Sequence, residues 1–494
     1  MHSCIYGYKR QRLKDYNIAA EFGSADLHLA SNMEDKPLSQ ESLESSIRQL
    51  DPNKRFELVK NHSHLHSIDK SVPLQIDTLT FDDLKIKVND TEYKFGVFKK
   101  YHQKEETPPF VRYENDRGGS DCNVDEYGFN DYSLDFLVEK GDVVISSLEY
   151  WKEAWEEQFE HNWIERSNER KEWLMRKVKD LHRQLTIQKL ALLQNPSKIK
   201  NLQAKLYKYQ SYLLPFYYRE SGVRPFDAYT QLTITSPSGI YIERFEYNGN
   251  VHSSPKALST QFFGNRDHPI EVRRFEANEP VIRLPPGVKF RINGLKIRYP
   301  ISDVIRNLQK IIDQSSYPLE YLKINSKNVH PEDLGHEVVR QANEVVVTGV
   351  LDNEKWTPEL EKMKNQIVEV RDGFKEDPYE DLCGIISSWK KGGRVGSKLT
   401  VRLREGQDAN EILRKLAEDL HKDSANDKSH FLLPLDFTTD LKISQRSITA
   451  GKNNGFWTIR LETVPKSLYV ESVALCARLM EKFLKAWSIC NWNF

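Results

Sequence analysis

Three histidines alternate at His62-x-His64-x-His66, and histidine is the commonest side-chain ligand for a transition metal. On a strand the three would share a face; on a helix they would not. No cysteine or paired carboxylate stands beside them, so a surface turn explains them without a metal. Gly392-Gly393-Arg394-Val395-Gly396-Ser397 invites a phosphate-loop reading. Such a loop joins a strand to the start of a helix, so that amides at the helix N-terminus face the anion. Here the glycines follow a helix ending near Lys391 and precede a strand at Leu399–Leu403. That reversed order suits glycines that end a helix. Asp121, Asp125 and Asp131 do not keep the alternate spacing around a fixed glycine that a calcium loop requires. GxSxG, HExxH and GxGxxG motifs are absent. The residue types therefore predict no catalytic centre, no cofactor and no metal site.

The elements that would position any binding surface are clearer. From Tyr241 to Leu403 a short pattern recurs: apolar, two others, apolar, one other, apolar. Its members are Ile242–Phe245–Tyr247, Val272–Phe275–Ala277, Ile292–Leu295–Ile297, Leu319–Leu322–Ile324 and Ala342–Val345–Val347. Val368–Val370 and Leu399–Val401 continue it. The central positions step by 30, 20, 27, 23, 23 and 31 residues, scattered around the period of leucine-rich repeats, about 20–29 residues. A strand buries alternate side chains on one face, and stacked units share a continuous core. Helix-like pieces at Ser302–Asp313, Pro331–Gln341, Asp381–Trp389 and Asn410–Leu420 lie between the strands. The expected fold class is α/β, an irregular leucine-rich-repeat-like solenoid with an N-terminal helical segment and an inserted helical hairpin. The alternative is an ordinary α/β layer with irregular crossovers. The Asn or Cys that usually closes a leucine-rich unit is missing.

At 494 residues the chain suits two to four domains of about 150 residues. It carries 72 basic and 72 acidic residues, with 38% hydrophobic and 11% aromatic content. Zero net charge excludes a global nucleic-acid footprint. Five scattered cysteines without a CxxC pair fit a reduced, intracellular chain. The N-terminus has no apolar signal region. The longest charge-free apolar stretch, near Ser211–Tyr218, is far short of the roughly 20 residues a membrane helix needs. A cytoplasmic or nuclear protein is the expectation.

In chain order, residues 1–36 are expected to be a flexible leader. Residues 37–70 predict two short helices: Leu43, Ile47 and Leu50 repeat at helical spacing, Asp51-Pro52 breaks them, and Phe56, Leu58 and Val59 start a second face. Residues 71–146 predict the first strands, with Ile76, Leu79 and Phe81 in the triplet pattern. An acidic loop follows. From Lys104 to Asp142 there are eleven acids and four bases. Residues 147–214 predict a helical hairpin, broken at Asn195-Pro196-Ser197. Its Arg166–Lys208 part carries twelve bases and three acids. That arm reads as a surface for nucleic acid or acidic lipid, or as a solvated face opposing the acidic loop. The second reading is preferred because the tryptophans sit in the acidic first half, and base stacking wants aromatics among the positive charge. Residues 225–403 form the strand–helix repeats, entered through a β-hairpin turning at Ser236-Pro237-Ser238-Gly239. Residues 404–494 are expected to add C-terminal repeats and a capping helix at Val470–Trp487.

Leu43-x3-Ile47-x2-Leu50-Asp51-Pro52, then Phe56 and Leu58-Val59, resembles an F-box. Lys70–Leu79, Gly118-Gly119, Val124–Gly128, Gly141–Ile145 and Ile282–Phe290 resemble a nematode-expanded group of F-box proteins with a long domain of unknown function after the F-box. The resemblance covers most of residues 37–403. It implies a non-enzymatic adaptor whose F-box helices dock on the Skp1 subunit of a cullin–RING ubiquitin ligase while the downstream domain captures a protein substrate. The Skp1-facing candidates it implies are Leu38, Leu43, Ile47, Leu50, Pro52, Phe56 and Leu58. The alternatives are that these helices cap the strand stack as part of a purely structural scaffold, or that the basic arm 166–208 makes the chain a nucleic-acid-binding protein.

Overall fold

The computed structural model describes residues 39–82, 84–103, 107–131, 138–145, 166–191, 195–390, 396–405, 407–420, 430–436, 438–450 and 454–466. The predicted leader, the capping helix, Leu38 and residues 147–165 of the predicted hairpin lie outside them. The chain divides into two compact units. One runs to Arg291 and includes Asn307–Asp313; the other holds Ile292–Arg306 and the residues from Gln314 onward. The boundary cuts through the predicted repeat region 225–403.

In the first unit, Ser39 and Asp51 cap helices α1 (Gln40–Gln49) and α2 (Pro52–Asn61), each side chain accepting a backbone N–H of the first turn. Helix α3 (His66–Ser71) leads into β1 (Gln75–Asp82), β2 (Lys85–Val88) and β3 (Thr91–Tyr101). Then come α4 (Pro109–Asp116), the helical arm α5 (Asn168–Leu190) and α6 (Pro196–Ser221), β4 (Phe226–Ser236), β5 (Gly239–Glu246), α7 (Ser253–Phe263) and β6 (Ile270–Ala277). The strands lie in the order β6-β1-β2-β3-β4-β5. Parallel pairing sets Ile76, Leu79 and Phe81 of β1 against Val272, Phe275 and Ala277 of β6. Two predicted triplets thus meet directly although nearly two hundred residues separate them.

The Ile242–Phe245–Tyr247 triplet is a correction. The predicted turn forms, with Ser236 paired to Gly239, and folds β5 straight back along β4. Antiparallel pairing through a tight turn leaves no crossover helix, so this strand is no stacked unit. Ile240 is 70% exposed and Ile242 48%.

The second unit takes up β7 (Phe290–Ile297) from Ile292 onward, then α8 (Ile301–Leu308), β8 (Tyr321–Asn325), α9 (Glu337–Gln341), β9 (Glu344–Thr348), α10 (Asn353–Leu360), β10 (Ile367–Val370), α11 (Tyr379–Trp389), β11 (Lys398–Arg402) and α12 (Ala409–Leu420). Strands β12 (His430–Pro434), β13 (Thr439–Ala450) and β14 (Asn454–Pro465) complete it. The order is β7-β8-β9-β10-β11-β14-β13-β12. Strands β7 to β11 are parallel, and the central positions Leu295, Leu322, Val345, Val368 and Leu399 are successive partners in one lateral row. All five are buried, as are Val304 and Leu308 of α8 and Leu382, Ile385 and Ile386 of α11. The repeat ends at β11. The predicted C-terminal repeats are instead an antiparallel meander, in which Ile459 and Leu461 face Val401 and Leu399. The fold is mixed α/β, with the parallel strand–helix repetition confined to the middle of the chain.

Candidate protein-interaction face

The N-terminal helices are built into the first unit. Phe56 of α2 stacks on Phe262 of α7, ring centroids 3.9 Å apart, and meets Phe263 edge-on. Tyr93, Phe81, Phe275 and Phe290 extend this aromatic cluster. The Tyr93 hydroxyl donates to Asn53 Oδ1 at 3.0 Å, and Asn53 Nδ2 donates to the Val88 carbonyl at 3.1 Å. A buried charge cluster holds α3. Asp69 takes ion pairs from Arg55 and, at 2.9 Å, from Arg266. Arg55 also donates to the Pro73 and Val72 carbonyls, and Lys70 Nζ donates to those of Gln261 and Phe262. Burial beside Arg266 pulls the Lys70 ammonium down to about 8.

The seven residues implied by the F-box resemblance therefore separate. Ile47, Pro52 and Phe56 are buried within the unit, Phe56 on an aromatic partner, so they do not face outward as the resemblance implies. Leu43, Leu50 and Leu58 are half-buried and form the part of that surface open to contact. Leu38 lies outside the described residues.

The second unit carries a different kind of surface. Residues alternating with the inward row point to the opposite face of β8 to β11 and β14. One row across the strands reads Tyr321, Glu344, Ile367, Lys398, Glu462; the next reads Lys323, Val346, Glu369, Thr400, Arg460. Val346 is fully buried and the other nine are half-buried. Ion pairs form along single strands between positions two apart: Arg371 with Glu369 at 3.0 Å, and Arg460 with Glu462 at 2.7 Å. The Arg402 guanidinium lies over the Phe456 ring at 3.7 Å. Burial, and then the charge of Glu369, push the Glu344 carboxyl above its ordinary value. With Arg371 and Arg402, the two rows hold five bases against three acids. The face is a broad, half-dry, charged platform, suited to holding a chain laid across it.

Asn365 performs a task that spacing alone did not reveal. Its buried Nδ2 donates at 2.6 Å to both the Val339 and Ala342 carbonyls of the preceding strand–helix step. The Ser316 hydroxyl likewise accepts the Ile292 N–H at 2.9 Å. A single buried amide next to a triplet was the available signal.

The other candidate chemistries resolve simply. His62, His64 and His66 are exposed, spread over the end of α2, a short 3-10 turn and the start of α3, and among the described residues no group of three or more His, Cys, Asp or Glu could hold a metal ion. Asp125 Oδ1 accepts the N–H groups of Tyr127, Gly128 and Phe129 and so shapes its own turn. Residues 391–395 of the glycine loop lie outside the described residues. The N–H groups of Gly396 and Ser397 pair with the Thr463 carbonyl and hydroxyl. A polar recess beyond the ends of β10 and β11 is lined by Lys375, Glu376, Arg404, Asp408 and Glu411 among others, and its rim is stitched by Arg404 and Gln407 donating to the carbonyls of Lys375 and Glu376. Cys122 is buried and Cys383 half-buried, and neither is in a disulfide. Among the described residues no helix is long and apolar enough to cross a membrane.

Residues 250–405 match a family described as a domain of unknown function (DUF3557). The match takes in the end of the first unit and the whole parallel run of the second. No curated protein and no solved structure matches the chain.

Proposed function

We propose that this chain is a non-enzymatic protein-interaction adaptor that holds its target on the charged face of β8 to β11 and β14. The observation that carries it is the in-register row Leu295–Leu322–Val345–Val368–Leu399. It ties one face of the parallel run to the core and turns the other outward along its whole width. The parallel run is a short leucine-rich-repeat-like stack. Its excess of bases favours an acidic, extended target segment. By resemblance, α1 and α2 act as an F-box, and Leu43, Leu50 and Leu58 supply the apolar contact with Skp1 of a ubiquitin ligase. A few such anchors carry most of the affinity of an apolar contact. Burial of Ile47 and Phe56 favours a second reading, in which the helices only brace the first unit and the chain is a scaffold without a ligase partner.

Co-purification of the full chain with Skp1 separates the two. The adaptor predicts capture by wild type and loss with Leu50→Asp at an unchanged melting temperature. Wild-type protein that leaves Skp1 in solution removes the ligase role and leaves the scaffold.

A further inference from the structure

The helical arm α5–α6 offers a second surface, independent of the adaptor face. Leu181 and Leu185 of α5 pack on Leu202 and Leu206 of α6, and Leu174 joins Leu213, Phe216 and Phe129. Arg176, Lys179 and Arg183 follow at steps of three and four, on the side of α5 turned away from that seam. Lys198, Lys200 and Lys205 stand on α6, and all six cations are exposed. Among the described residues none of the six meets a carboxylate. Among the described residues Arg166 reaches the acidic loop, 3.8 Å from Asp125 and 3.7 Å from Asp131.

Aromatic rings stand among these charges, contrary to the expectation from the tryptophan positions. The Arg170 guanidinium lies 4.5 Å and the Lys177 ammonium 5.5 Å from the centroid of the Trp173 ring. Trp173 meets Tyr209 edge-on, Tyr209 meets Tyr212, and Lys208 sits over Tyr212 at 5.8 Å. The three rings are half-buried, so their edges reach solvent. Cations that track a backbone, together with rings that receive bases, are the two parts of a single-strand binding surface. A membrane-lying helix needs a continuous apolar face beside its basic one; here the leucine stripe is taken up by the seam between the helices, and Ile187 and Leu190 are exposed near the end of α5.

We infer that the α5–α6 arm binds single-stranded nucleic acid, with its outward cations on phosphates and the Trp173–Tyr209–Tyr212 rim against bases. The test is fluorescence anisotropy of the full chain with a labelled oligothymidylate across a salt series. Binding should weaken with salt, log affinity falling about 0.7 per log salt for each phosphate engaged. Combined Arg176→Glu, Lys179→Glu and Arg183→Glu should weaken binding at least about tenfold and flatten that slope, with the melting temperature unchanged. Trp173→Leu, which keeps an apolar side chain in the seam, should weaken binding about tenfold and leave the slope as it was. Four results overturn the inference: no binding by wild type, equal affinity for duplex, the triple variant binding like wild type, or capture by phosphatidylserine vesicles without binding of the oligonucleotide.

Discussion

In β7 to β11 each core contact joins neighbours one step apart in the chain, as Leu322 does with Val345. The helices α1 to α3 are held by partners far away: Lys70 donates to a carbonyl 191 residues on, and Asp69 pairs with a guanidinium 197 residues on. The first region repeats, so a local pattern names its neighbours. The second does not, and its apolar positions look alike whether they face a partner protein or a distant helix of the same chain. The two regions also differ in what fills them. The strand row is purely apolar, while the helices rest on a carboxylate shared by two guanidinium groups with a lysine beside it.

The sharpest way to break this contrast is Asp69→Ala. It leaves Arg55 and Arg266 buried without their carboxylate, and such losses cost about 3–5 kcal/mol. Chemical denaturation should show the first unit lose most of that. Leu322→Ala opens a cavity in the middle of the strand row and should cost about 3 kcal/mol, read in the same way on the second unit.

Lys70 supplies a pH test. Its ordinary value of 10.5 falls to about 8 in the folded chain, through burial and then through Arg266. Between those two values the unfolded chain binds more protons than the folded one, so stability rises with pH. The slope should approach about 1.4 kcal/mol per pH unit, and Lys70→Met should abolish it.

The smallest effect sharpens the comparison by chemistry. Asp77 also sits between two guanidinium groups, Arg273 and Arg274, but its side chain is 43% exposed whereas that of Asp69 is 2% exposed. The Arg274 contact holds its carboxyl below the ordinary range. Solvent screens such a pair, so Asp77→Asn should cost no more than about 1 kcal/mol and shift the melting curve only slightly.

Alternation along the chain was enough to place Leu295, Leu322, Val345, Val368 and Leu399 in one row, to find the hairpin turn at 236–239, and to mark α8, α11 and α12. Side-chain period and turn chemistry are local properties, and stacking of adjacent units carries them directly into the tertiary structure. The α10 helix escaped notice because Pro358 lies inside it and a helical proline argues against the element. Two matters waited for the folded chain. They are the pairing of β1 with β6, and the burial of Ile47 and Phe56 where an outward face was expected. Each depends on contact between residues whose sequence separation no single stretch records. For the same reason the charged rows of the second unit emerged only with the strand register, because register decides which alternate residues stand side by side.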